Sequence, residues 1–229
     1  MKRTLLVSAL SFSAVVGTLR AQTTISTLGD WNASRAQTFF GEPDTGYFGQ
    51  TLTVPGDARL VSYEFRVEQL SLAPTQYQSS VYLWDTINLR ATGSSLYTSS
   101  ASTFDFIGGG FAPVSFTLPG GGIDLTTGQV ILLMFDAITP GDTVASSAQF
   151  GLVVPGTLAG GEARFLNSFA GANSPTITSW SPVGGDFAFR ADFVFAPEPS
   201  TWGAGTAAVG LVIWRLASAR AARRSATRV

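Results

Sequence analysis

The chain has 229 residues, 45% of them hydrophobic and 13% charged, with 25 Gly and neither Cys nor His. Those counts exclude a disordered polyampholyte, a disulfide-stapled miniprotein, a Cys/His metal site and any catalyst that needs an imidazole base or a thiolate. The formal charge of −1 hides a separation: basic residues gather at both ends, while residues 22–196 hold six Arg against fourteen carboxylates, a net of −8; an acidic body between basic ends argues against nucleic-acid binding and points the ends toward a membrane.

The chain opens on Lys2 and Arg3, runs through apolar and small residues from Thr4 to Leu19, and reaches Arg20-Ala21-Gln22. A basic start, an apolar middle and a small residue at the end are the layout of a secretory signal peptide, a helix over residues 1–21 cleaved after Ala21. The reading implies export through the Sec machinery and a cut by signal peptidase. Lacking Cys, the exported chain needs no oxidising compartment.

Residues 22–196 show period-2 patterning broken by Gly, Pro and Ser, with no sustained helical period. Strands are expected at Gly49–Val54, Val61–Glu68, Ser79–Asp85, Pro113–Leu118, Val130–Phe135, Ala148–Val153, Ala163–Phe169, Thr176–Trp180 and around Phe187–Phe195. Along Val61–Glu68 apolar and polar residues alternate, so one face should be core and the other wet. Val130–Phe135 is apolar throughout and predicts a strand covered on both faces. Turns are expected at Pro55-Gly56-Asp57, Gly108–Gly110, Pro119–Gly122, Pro140-Gly141-Asp142, Pro155-Gly156 and Gly184-Gly185-Asp186. About nine to eleven short strands at such spacing predict a single all-β domain, an antiparallel β-sandwich of jelly-roll type.

After the last strand come Pro197-Glu198-Pro199-Ser200-Thr201-Trp202, an apolar stretch, and an Arg-rich end. Two prolines fixed in φ and lacking N–H groups make the hexapeptide a linker. Residues 202–219 would form a helix of about 27 Å, close to the roughly 30 Å core of a bilayer, with Arg215 snorkelling toward the headgroups. The Arg residues of 220–229 would stay cytoplasmic and leave the acidic body outside.

This order of features resembles the PEP-CTERM sorting domain of exported bacterial proteins, over Pro197 to Val229. The resemblance implies recognition by a membrane-embedded exosortase, a cysteine-protease-like enzyme. Processing near the motif would then release the protein to the cell surface or an exopolysaccharide matrix. Pro197, Glu198 and Pro199 would be the recognition element, and Arg220, Arg223 and Arg224 the cytoplasmic stop. Two features depart from the common pattern, Arg215 within the span and a tail that continues to Val229. The plainer alternative is a C-terminal membrane anchor. The segments Gly49–Pro55, Val81–Asp85, Arg90–Gly93 and Leu125–Gln129 look like the jelly-roll ectodomains found ahead of such tails, a likeness that supports the sandwich and implies no activity.

Carboxylates are the general acids and bases open to the body. A glycosidase needs a pair about 5 to 10 Å apart. Glu64 and Glu68 share one strand face about 13 Å apart with Arg66 between them, which reads as a solvated face. Asp44, Asp85, Asp105, Asp124 and Asp142 sit in or beside loops, where Asp makes turns through its own side chain; a structural calcium ion would suit such oxygens, but their spacing matches no calcium loop. Neither triple-glycine run both follows a strand and opens a helix with a Lys, and the body holds no Lys, so they are hairpin or loop tips rather than phosphate cradles. Trp31, Trp84 and Trp180, with Tyr47, Tyr77, Tyr82 and Tyr97, are candidate glycan contacts, Trp31 foremost because it lies in the polar Asp30-Trp31-Asn32; filling a core is the other use of such rings. Together these observations predict a non-enzymatic exported protein with a structural or adhesive role. A glycan-binding module of the matrix is the alternative, and a carboxylate-dependent glycan hydrolase or lyase a distant one.

Overall fold

The structure, a computed structural model, describes residues 21–104, 110–141, 145–167 and 174–195. Residues 1–20 of the signal segment, the sorting tail with Pro197, Glu198, Pro199, Arg220, Arg223 and Arg224, and the loop residues Asp105 and Asp142 lie outside the described residues. Residues Ala21–Ala196 gather into one compact unit. The described chain is all-β, with fifteen strands: β1 Gln22–Ser26, β2 Ala36–Phe40, β3 Tyr47–Thr53, β4 Ala58–Gln69, β5 Thr75–Asp85, β6 Arg90–Thr98, β7 Ser102–Phe104, β8 Ala112–Thr117, β9 Ile123–Leu125, β10 Val130–Asp136, β11 Ala148–Val153, β12 Ala163–Leu166, β13 Ser181–Pro182, β14 Asp186–Phe187 and β15 Phe189–Phe195. Among the described residues no helix is long and apolar enough to cross a membrane.

The strands form two antiparallel sheets that pack as a β-sandwich. The first runs β1-β15-β4-β11-β14, with β2 on β11 and both β8 and β9 on β4. The second runs β13-β12-β3-β10-β5-β6, with β7 on β5. Between them lies a core of phenylalanines. Phe65 of β4 meets Phe135 of β10 edge-on at 5.1 Å, and Phe48 of β3 meets Phe150 of β11 at 5.3 Å. All four rings are fully buried, and such edge-to-face pairs add about 0.5–1.5 kcal/mol each beyond the area they remove from water. Two polar ties cross the core. The Tyr63 hydroxyl pairs with Ser79 Oγ at 2.8 Å, and burial pushes that phenol well above its ordinary range, so it stays neutral. Gln50 donates from Nε2 to Asp186 and accepts the Phe187 N–H.

The alternation along β4 holds from Tyr63 to Gln69 and fails one step earlier. Tyr63, Phe65 and Val67 point inward as the pattern requires, but Val61 does not, and Leu60 and Ala58 take over the inward positions. The cause is a bulge against β15: Asp192 stands opposite Ser62 while Phe193 stands opposite Leu60, leaving Val61 without a partner on β15 and reversing the phase. The run in β10 is covered on both faces, as its composition predicts, with Ile131, Leu133 and Phe135 in the inter-sheet core and Leu132 and Met134 in a second cluster. Thr176–Trp180 is not a strand. Ile177 and Thr178 both donate to the Ser174 carbonyl to make a turn, and strand pairing begins only at Ser181.

The expected turns at Pro55-Gly56, Pro119–Gly122 and Gly184-Gly185 connect strands. At Gly122, with φ of +112°, a Cβ would lie 2.3 Å from the Leu60 carbonyl oxygen. No other residue can pass that strand so closely.

Candidate functional site

The outer face of the second sheet is unlike an ordinary wet face. Tyr47 of β3, Trp84 of β5, Leu132 and Met134 of β10 and Leu166 of β12 all point to it, one residue out of phase with their neighbours in the inter-sheet core, and they are buried. The segment 174–180 straps down one end of this face. Trp180 N donates to the Leu89 carbonyl at 2.7 Å, Ala91 N to the Pro175 carbonyl, Ser179 Oγ to the Asn88 carbonyl and Arg90 Nη1 to the Ile177 carbonyl. These bonds press Trp180 onto the sheet, where its indole N–H is satisfied by the Pro175 carbonyl at 3.1 Å.

Where the strap ends, a groove of about 450 Å³ opens. Trp84, Arg164, Glu162 and the threonines Thr51, Thr53 and Thr86 line it. Arg164 is 6% exposed and lies over the Trp84 ring, 5.2 Å from its centroid. Its Nη1 donates to the Trp180 carbonyl at 3.1 Å, its Nη2 pairs with Glu162 Oε1, and its Nε is buried with no hydrogen-bond partner. A buried donor left unmade costs about 1–3 kcal/mol. The groove is therefore a place where a charged group is held short of one acceptor.

The loop beside it is built to stay in place. Asp186, buried in β14, accepts the N–H groups of Thr157 and Leu158 at 2.7 and 2.8 Å, and Thr157 Oγ1 donates to Asp30. Thr51 Oγ1 accepts from the Glu162 N–H and donates to its carbonyl, and Thr53 Oγ1 donates to the Gly160 carbonyl. A Cβ on Gly161 would lie 2.3 Å from the Thr51 carbonyl oxygen, so the loop approaches β3 more closely than any larger residue allows.

The three candidate tryptophans divide between the sheets. Trp84 and Trp180 come together edge-on at 6.1 Å, Trp84 on the groove and Trp180 beneath the strap at 2% exposure. Trp31, half-buried, belongs to the first sheet, where its ring lies against Gly151 of β11, meets Phe111 edge-on at 4.9 Å and donates its N–H to the Arg35 carbonyl. Tyr47 sits under Trp180 at 6.0 Å, its phenol pushed well above the usual range by burial and then by Asp136. Tyr82 faces the outer cluster, while Tyr77 and Tyr97 turn to the inter-sheet core.

The carboxylates of the first sheet are engaged across its wet outer face. Glu64 accepts from Arg66 at 3.1 Å and from Ser115 at 3.4 Å, and Glu68 from Gln149 at 2.6 Å. Burial raises the Asp192 carboxyl, but bonds from Thr24, Arg190 and Ser62 outweigh it and hold the group below its ordinary value. Asp85 is held low by Asn88 and caps its own turn, Asp57 is held low by the Thr127 backbone and hydroxyl, and Asp124 takes a two-pronged pair from Arg59 at 2.7 and 2.9 Å. Among the described residues no three His, Cys, Asp or Glu side chains gather closely enough to hold a metal ion.

Sheet order, core and outer face define an all-β sandwich protein. No protein-family model and no curated protein matches this chain. Among solved structures it is similar to the cysteine protease and lectin-like domains of Cwp84, a surface layer associated protein of Clostridium difficile, at 10% identity and a TM-score of 0.40, covering 71% of this chain and 36% of that one. It is also similar to the infectious bursal disease virus VP2 subviral particle, at 13% identity and a TM-score of 0.31, covering 85% of this chain and 47% of the other. The chain thus spans less than half the length of either.

Proposed function

We propose that this chain is an exported bacterial protein of the cell surface or exopolysaccharide matrix, a jelly-roll-type sandwich with a structural or adhesive role, sorted through a PEP-CTERM tail. The Sec machinery and signal peptidase act on its first 21 residues. The tail then crosses the inner membrane as a single helix until exosortase processes it at Pro197-Glu198-Pro199, with Arg220, Arg223 and Arg224 holding the cytoplasmic side. The observation that carries the reading is the order of motif, apolar span and Arg cluster behind a signal-type start. The start of the first strand agrees with it: β1 begins at Gln22, the residue after the proposed signal cut.

Replacing Pro197, Glu198 and Pro199 together by Ala tests this reading. The expected outcome is protein retained in the inner membrane, while the unaltered chain reaches the surface fraction; equal delivery of both would overturn it. A glycan-binding module is the second reading, favoured by the groove over Trp84 and Arg164.

A further inference from the structure

We propose that the groove on the outer face of the second sheet is a binding site for a neutral sugar ring of a surface polysaccharide. The inference deepens the adhesive reading above and rests on it for its biological setting. The groove's volume, about 450 Å³, lies within the range of small-ligand sites, which span about 300–1,000 Å³. Its lining combines an indole, a guanidinium–carboxylate pair and hydroxyls. A pyranose presents a rim of hydroxyls, each able to donate and accept, to the threonines and Glu162, and a C–H face that suits the half-buried Leu89 and Val130 of the lining. The Arg164 guanidinium holds Glu162 in place, so the carboxylate is fixed toward the groove rather than free to swing away. Glu162, whose side chain is 40% exposed, offers acceptor capacity to hydroxyl donors, and the exposed Thr86 stands at the mouth.

Charge selects the class of sugar. Arg164 and Glu162 neutralise one another within the lining, and the body around them is −8. A uronic-acid polymer would meet no net positive charge in the groove and a repelling field outside it. A neutral ring meets neither obstacle. The setting is also preformed: Asp186 pins the Thr157–Leu158 loop, and Gly161 packs too tightly against β3 to be displaced cheaply, so ordering the loop costs binding little.

The test uses the purified full chain in detergent micelles, titrated calorimetrically with short oligosaccharides from the neutral and the acidic fractions of the producing cell's exopolysaccharide, with tryptophan fluorescence read in parallel. The expected result is saturable binding of the neutral fraction and a change in tryptophan emission. Thr86→Arg, which fills the mouth from an exposed position, should weaken binding at least tenfold, and Ser115→Arg on the other sheet should leave it unchanged. Equal thermal midpoints of the two variants keep misfolding out of the comparison. The proposal is overturned if the neutral fraction does not bind, if the acidic fraction binds more tightly, or if Thr86→Arg binds as the unaltered chain does. Loss of sugar binding with correct surface delivery would sink this site alone, and mislocalisation with binding intact would sink the sorting reading alone.

Discussion

The two outer faces of the sandwich obey the same strand alternation and came to opposite ends. On the first sheet the outward residues of β4 and β15 are Glu64, Arg66, Glu68, Arg190 and Asp192, joined to one another and to Thr24, Ser62, Ser115 and Gln149. On the second they are Tyr47, Trp84, Leu132 and Met134, capped by Trp180. A face of paired ions is stable in water and needs no cover. A face of aromatics and aliphatics must be covered, and the strap covers it at one end and leaves a groove at the other. An edge of incomplete cover is where an apolar floor and polar groups meet, so the second sheet holds the candidate site and the first acts as scaffold.

The sharpest way to break this contrast is to remove the cover. Trp180→Ala should cost about 3–5 kcal/mol in chemical denaturation, the range for a buried large aromatic, because the ring is 2% exposed between Tyr47 and Trp84. Next comes the pin under the groove loop. Asp186→Ala leaves the Gln50 amide and two backbone N–H groups without their acceptor and should cost about 3 kcal/mol, with faster amide exchange at Thr157 and Leu158.

The first sheet should answer to acid instead. The folded-state value of Asp192 lies below its ordinary 3.8. The stability that follows from such a shift is fully present above the ordinary value and is lost as pH falls through the lowered one. Thermal midpoints measured from pH 6 down to pH 2 should therefore decline below about pH 4. Asp192→Asn should flatten part of that decline, and an unchanged pH profile would remove Asp192 from the account. The smallest effect belongs to the paired ions: Glu64→Ala should change stability by about 0.5 kcal/mol, and less at high salt. A change as large as that of Trp180→Ala would erase the distinction between the faces.

How much of this was legible in the sequence depends on what each strand touches. β10 could be read in full because a strand buried on both sides must be apolar at every position. β4 could be read only up to its bulge, since Val61 is patterned as an inward residue and nothing local announces the extra residue in the ladder. β1 and β6 pass unread because they are mostly polar: in β1 only Ile25 packs against the core, and β6 carries Thr92, Ser94 and Ser95 around Gly93 at φ +71°; β2 passes unread although its last residue, Phe40, is fully buried in the inter-sheet core. Thr176–Trp180 has the composition of a strand, but its backbone donors are spent on Ser174 and Leu89.

The site was legible only in part. Trp84 and Trp180 stood out as aromatics, yet that they meet one another while Trp31 packs on the other sheet depends on strand order, which no local pattern encodes. Arg164 escaped notice. The signal was there in Gly160-Gly161-Glu162-Ala163-Arg164, where a carboxylate and a guanidinium two residues apart share one face of an otherwise apolar strand.

The central claim, that the tail is a sorting signal processed outside the cytoplasm, is tested most directly by the intact mass of the chain recovered from the cell surface, with and without the exosortase. The account predicts surface material that begins at Gln22 and has lost the Arg-rich end, together with a full-tailed form held in the membrane when the enzyme is deleted. Surface material that keeps Arg220, Arg223 and Arg224 whether or not the enzyme is present would contradict it.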